Sequence, residues 1–230
     1  MTTTALLLFF GTLALSLWAS HRVKRIYRIH AAQPALSGLT GAETARRILA
    51  QEGIGNVDIV PQQGELSDHY DPSRRRLALS DPNYHGNSVA AVAVSAHEAG
   101  HAIQHARAYT PLHLRMAAVG ATQVASQIVM WLPLLGLFTS IIAPSTAIML
   151  MAAGWGVIMI FNLVTLPVEF DASRRAKLAL RATGAVTTST ESPGVDRVLN
   201  AAALTYVAAF VTSLAYFLWH LLPLLAGRRD

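Results

Sequence analysis

Residues 116–168 read MAAVGATQVASQIVMWLPLLGLFTSIIAPSTAIMLMAAGWGVIMIFNLVTLPV, with no charged side chain between Arg115 and Glu169. A run of that length bathed in water would carry charge. Two helices in hydrocarbon would not, since each needs about 20 apolar residues to cross. Pro144 marks the one turn-forming stretch. The run therefore predicts two spans, near Ala121–Ile142 and Thr146–Val168, joined at Ala143–Ser145. Outward from it lie two more such runs. Thr2–Ser20 has no charge, and Ala201–Ala226 is interrupted only by His220. The first is read as an uncleaved anchor rather than a signal peptide: it lacks a basic leading segment, and His21, Arg22, Lys24, Arg25 and Arg28 follow it directly.

Composition agrees with four spans. The chain has 230 residues, 53% of them hydrophobic and only 13% charged, with a mean hydropathy of +0.39. Soluble domains carry about a quarter charged residues, so a water-soluble globule and a disordered chain are both excluded. There are no cysteines, hence no disulfide framework, thiolate metal site or cysteine nucleophile. The net charge of +5 could suggest nucleic acid, but its distribution argues otherwise. Sixteen of the 18 basic residues fall in Arg22–Arg115 or Arg174–Arg197, which four spans place on one side. By the positive-inside rule that side is the cytoplasm. The expected fold is thus mainly α: a polytopic membrane protein with a small α+β part at the cytoplasmic face. Its parts are an anchor (2–20), a cytoplasmic part (31–116), a transmembrane hairpin (117–168), a cytoplasmic loop or helix (169–200) and a last span (201–226). Arg228 and Arg229 then fall on the opposite side, a small violation of the rule.

Within the cytoplasmic part, Thr40 and Glu43 form a capping box before Ala45, Ile48 and Leu49 at helical spacing, and Gly53 and Gly55 end that helix. Val57–Val60 and Arg76–Ser80 read as short strands. Ala182–Gly194, rich in Thr, Ser and Gly, reads as a mobile connection. Ser88–Ala106 reads as an apolar helix, and on it sits His97-Glu98-Ala99-Gly100-His101, an H-E-x-x-H. Histidines at i and i+4 share a helix face, so their imidazoles can converge on one Zn²⁺ at about 2.0–2.1 Å. Glu98 lies about 100° round the helix from His97, placed to flank a metal rather than bind it and to act as general base. Two solvated histidines are the bland alternative. It fits poorly, because the rest of the helix is apolar and a buried His, Glu and His cluster is costly unless occupied.

A catalytic zinc needs a third protein ligand. His105 continues the stripe, but one straight helix does not wrap three ligands round an ion, so His105 is expected to support rather than bind. Glu169, at the end of the third span, is the favoured third ligand. Asp171, two residues on, is the alternative, with orientation of a ligating histidine as its other role. A tetrahedral intermediate also needs a hydrogen-bond donor. His69, Tyr70, Tyr84, His85 and Tyr206 are candidates, and the residues do not choose among them. For Asp68-His69-Tyr70-Asp71-Pro72, turn chemistry competes with any role at the site. His220 inside the last span is a functional candidate by default, although its place near Trp219 and Pro223 fits an interface equally well.

These blocks resemble a known family. Leu66-Ser67-Asp68-His69-Tyr70-Asp71-Pro72, Ala96 through His105, Leu166-Pro167-Val168-Glu169-Phe170-Asp171-Ala172-Ser173-Arg174-Arg175 and Val198 through Ala209 look like the YugP-type bacterial membrane zinc metallopeptidases, which are distantly similar to gluzincins. The resemblance implies a gluzincin-like peptidase part, one zinc ion, ligands His97, His101 and Glu169, and Glu98 as base. It also implies peptide or membrane-protein substrates, a multi-pass place in the bacterial inner membrane with a cytoplasmic site, and an edge strand, expected at Leu77–Ser80, that receives substrate backbone. One departure stands out. HtpX-type gluzincins have an aspartate four residues after the ligand glutamate, whereas position 173 here is Ser. Two other readings compete. A site-2-type intramembrane protease would take its third ligand from an Asp-Gly pair, and the chain has none. A zinc-binding scaffold would hold metal without cleaving anything.

Overall fold

The computed structural model describes residues 3–138, 142–186 and 191–226. Among them are seven helices and three short strands: α1 Thr3–Ala31, α2 Gly41–Gln51, β1 Asp58–Gln62, β2 His69–Asp71, β3 Arg76–Ser80, α3 Asp81–His85, α4 Val89–Ala106, α5 Thr110–Phe138, α6 Pro144–Ala182 and α7 Ser192–Ala226. The protein is mostly helical with one small sheet. Helices α1, α5, α6 and α7 are long and apolar enough to cross a membrane, and they carry the four runs singled out by their lack of charge. Each continues past its apolar run, because a helix satisfies its own backbone and need not stop where hydrocarbon does. Pro144 opens α6, a position where its missing N–H is no loss. Part of the expected mobile connection, residues 187–190, lies outside the described residues, as do Arg228 and Arg229.

The chain divides into two units. One comprises residues 1–18, 113–166 and 206–230. Its helices approach closely at small residues: a Cβ at Gly154 would lie 2.8 Å from Val129 Cγ2, and one at Gly156 would lie 3.1 Å from the Phe217 ring. Trp155 stacks on Tyr216 with centroids 4.5 Å apart, and the Asn162 amide donates to Ser213 Oγ at 3.0 Å. His220 Nδ1 donates to the Tyr216 carbonyl at 2.7 Å, one turn back on its own helix.

The other unit comprises residues 19–112 and 167–205. Its core gathers Ile48, Leu77, Leu79, Val92, Leu180 and Leu199, all fully buried. Helix α4 is apolar nearly all round and correspondingly buried. Ser88 caps it by accepting from the Ala91 N–H at 3.1 Å. The Thr40–Glu43 capping box starts α2 as the sequence predicts, and Gly53 ends it at φ +70°, a left-handed conformation open to glycine. The sheet order is β1-β3-β2, with β1 parallel and β2 antiparallel to β3. This corrects one expectation. Leu77–Ser80 belongs to the central strand, so it cannot be the free edge: His69 and Tyr70 pair with Ala78 and Leu77 on one side, and β1 pairs on the other. Beyond β2, the Ser80 N–H is taken by the Asp68 carboxylate at 2.8 Å.

Candidate metal centre

The two halves of the site come from α4 and α6. His97 and His101 sit one turn apart on α4, their rings edge to face with centroids 4.8 Å apart. Glu169 faces them from α6, its Oε2 lying 3.2 Å from His97 Nε2 and 3.6 Å from His101 Nε2. One donor atom from each of the three residues falls within 4.8 Å of the others. Glu169 is 2% exposed and His101 8%.

The H-E-x-x-H spacing itself makes this approach possible. Its last variable position is Gly100, where a Cβ would lie 2.5 Å from the Ala172 carbonyl oxygen and 3.2 Å from the Ala172 Cα. Only a residue without a side chain lets the α6 backbone pass so near, and Ala172 is three residues beyond Glu169.

The donors fit a zinc ion. Four ligands about 2.0–2.1 Å from a tetrahedral centre lie about 3.3–3.4 Å from one another, and the two spacings to Glu169 Oε2, 3.2 and 3.6 Å, bracket that value. Two imidazoles and one carboxylate form a nitrogen-and-oxygen set suited to Zn²⁺. Three protein ligands would leave one position open, as a catalytic zinc requires.

Glu98 is buried beside this cluster at 7% exposure. Burial pushes its carboxyl up to about 7, with His97 pulling it down and Glu169 and Asp68 adding to the rise. A carboxyl that exchanges a proton near neutral pH suits acid–base work.

The remaining predicted residues separate clearly. Asp171 does not join the three donors. It accepts from Arg174, from Arg175 at 2.5 Å and from the Gln104 amide at 2.9 Å. His105 Nδ1 meets the Tyr70 hydroxyl at 2.9 Å, and burial raises the pKa of Tyr70 against the opposing charge of Arg75. His69 is exposed, with Nδ1 on the Ser67 carbonyl at 2.9 Å. The Tyr84 hydroxyl accepts from Arg46 at 3.0 Å, and His85 meets the Tyr84 ring edge to face and is exposed. Tyr206 lies on α7 in the other unit. Turn chemistry accounts for Asp71, which accepts from the Ser73 and Arg74 N–H groups. Asp68 ties Ser80 to Asn83.

Sequence reasoning missed two contacts. Ser173 Oγ is 3.2 Å from His97 Nδ1, so the departure at position 173 puts a hydroxyl against the first histidine. Gln104 Oε1 is 3.0 Å from His101 Nδ1. The only advance signal for Gln104 was a polar residue on an otherwise apolar helix, three positions after a candidate ligand.

Helices long and apolar enough to cross a membrane, together with a largely buried His-His-Glu cluster able to hold a metal ion, point to the class of membrane metalloproteins. Residues 5–225 match the family described as "Putative neutral zinc metallopeptidase", and the chain belongs to that family. It is 42% identical over 223 residues, covering 97% of either chain, to "Putative membrane protease YugP" of Bacillus subtilis (strain 168). No solved structure matches it.

Proposed function

We propose that this protein is a zinc-dependent endopeptidase, held in the bacterial cell membrane by several spans, that cleaves membrane or juxtamembrane protein substrates at the cytoplasmic face. The observation that carries this reading is the convergence of His97, His101 and Glu169, with donor atoms within 4.8 Å, although His97 and Glu169 stand 72 positions apart in the chain. A buried carboxylate lies next to them at Glu98. The family described above supports peptide-bond hydrolysis.

His97, His101 and Glu169 would hold one zinc ion. When bound, zinc polarises a carbonyl and lowers the pKa of water towards about 7. Glu98 takes the proton from the attacking water and returns it to the leaving amine, a role that needs a carboxylate beside the ligands but outside them. Burial of the cluster excludes bulk water, which strengthens each charge interaction within it. The cytoplasmic side follows from the positive charge at Arg22–Arg115 and Arg174–Arg197. The lack of an Asp-Gly pair and the place of Glu169 after the apolar run count against the site-2-type reading.

The test is Glu98→Gln in the purified full-length protein, reconstituted in lipid nanodiscs. Metal analysis is expected to show unchanged zinc, while cleavage of a fluorogenic protein substrate falls by about 10²- to 10⁴-fold. Cleavage at the wild-type rate would overturn the role of Glu98. A wild-type protein that binds zinc and cleaves nothing in native membranes would instead support the scaffold reading. Substrate trapping with the Glu98→Gln variant would identify what the enzyme acts on.

A further inference from the structure

We propose that Gln104 and Asp171 form a positioning relay that holds the His101 ring with its Nε2 lone pair turned towards the metal, an inference that rests on the zinc-site reading above. Gln104 is fully buried and makes three polar contacts. Its Nε2 donates to the Val168 carbonyl at 2.8 Å and to Asp171 Oδ2 at 2.9 Å. Its Oε1 faces His101 Nδ1 at 3.0 Å.

The amide has only one workable orientation. A backbone carbonyl can only accept, so turning the amide over would set Oε1 against the Val168 oxygen and the Asp171 carboxylate together, two acceptor–acceptor contacts in a dry site. With Nε2 committed to those oxygens, Oε1 must accept from His101. Nδ1 therefore carries the hydrogen, and the lone pair of the neutral ring is left on Nε2, the atom 3.6 Å from Glu169 Oε2. Asp171 is itself anchored by Arg174 and Arg175, so the relay runs from two guanidinium groups through Asp171 and Gln104 to a ring nitrogen.

His97 has no equivalent device in Ser173. Its Nδ1 faces a hydroxyl at 3.2 Å, which can donate or accept and so leaves the tautomer open. The two ligating histidines are therefore not equivalent. Position 171 carries, through Gln104, the orientation of the second histidine, and position 173 touches only the first.

Two measurements on the full-length protein in nanodiscs test this. The first is the ¹⁵N spectrum of histidine-labelled, metal-free protein with neutral rings. It is expected to show His101 protonated at Nδ1. Protonation at Nε2 overturns the relay, whatever the protein binds. The second starts from zinc-loaded protein and measures affinity by competition with a chelator. Asp171→Asn and Gln104→Leu are each expected to weaken zinc by about 10- to 100-fold. Affinities of the single variants within about twofold of wild type overturn the proposal. Thermal unfolding of the metal-free variants separates the relay from mere packing: loss of stability with zinc affinity retained means a structural role only. If the wild type binds no zinc, the peptidase reading fails, and the histidine spectrum alone decides the relay.

Discussion

The two units treat polar side chains in opposite ways. In the unit of residues 1–18, 113–166 and 206–230, large apolar side chains such as Leu7, Phe10, Val124, Trp131 and Leu163 are exposed. Polar groups there are mostly settled on a neighbouring turn or helix, as in Thr122 on the Ala118 carbonyl and Asn162 on Ser213. In the unit of residues 19–112 and 167–205, most apolar side chains are inside, with Ile29, Leu36, Phe170 and Leu178 as exposed exceptions, and Glu98, His101, Gln104, Glu169 and Asp171 are buried with them. The first pattern suits a solvent made of lipid, in which outward-facing Leu and Phe carry no penalty and an unmade hydrogen bond does. The second suits a site: buried charge is tolerated only where it is paired, hydrogen-bonded or metal-bound. The same amino-acid types thus mean different things on α6 before and after Pro167, where the chain passes from one unit to the other.

The sharpest way to break that contrast is to remove buried carboxylates one at a time. Glu169→Ala deletes one of three donors and should lower zinc affinity by more than the about 10- to 100-fold expected of Asp171→Ala, which acts only through Gln104. Chelator competition on the purified pair checks the order, and the reverse order would make Asp171 the ligand. Both losses should also lower the Tm measured in zinc towards the metal-free value, because a ligand at free concentration L that binds only the folded state stabilises by RT ln(1 + L/Kd), which shrinks as Kd rises at a fixed zinc concentration.

How much of this was legible depends on how local each feature is. The four long helices follow from uninterrupted apolar runs, and α4 follows from Ser88 and the spacing of its alanines and valines. The H-E-x-x-H could be read within five residues. Strand β2 could not, because three residues, His69–Asp71, give no alternation to detect and acquire a partner only when β3 arrives. The edge strand was misassigned for the same reason: β3 looks like the better strand by composition, and its central place depends on pairing with both neighbours. Glu169 was found because it ends a charge-free run. Gln104 and Ser173 were not found because the contacts that orient them, Gln104 with Val168 and Asp171 and Ser173 with His97, span 64 or more residues. Continuation of α6 beyond Glu169 left no mark either, since helix geometry is indifferent to the change from apolar to charged residues.

Glycine offers the finest probe of the same contrast, because both units contain one at a close approach between helices. At Gly100 the obstacle to a Cβ is the Ala172 backbone, at 2.5 Å from its oxygen and 3.1 Å from its carbonyl carbon. A backbone cannot turn aside as a rotamer can, so α6 must move, and it carries Glu169 three residues away. Gly100→Ala should therefore destabilise by about 1–3 kcal/mol, despite the gain of up to about 1 kcal/mol that alanine brings to a helix interior. It should weaken zinc binding as well. At Gly154 the nearest obstacle is the Val129 Cγ2 methyl at 2.8 Å, with the Ala125 carbonyl at 3.4 Å. A valine side chain can shift by a few tenths of an ångström, and the helix-propensity gain offsets most of that strain. Gly154→Ala should fall within about 1 kcal/mol of wild type and leave zinc affinity unchanged. Thermal unfolding and chelator competition on the two variants in nanodiscs decide the point. If Gly154→Ala proves the costlier change, packing among the apolar helices is tighter than packing at the metal site. Fixed backbone around the donors would then no longer be what sets the two units apart.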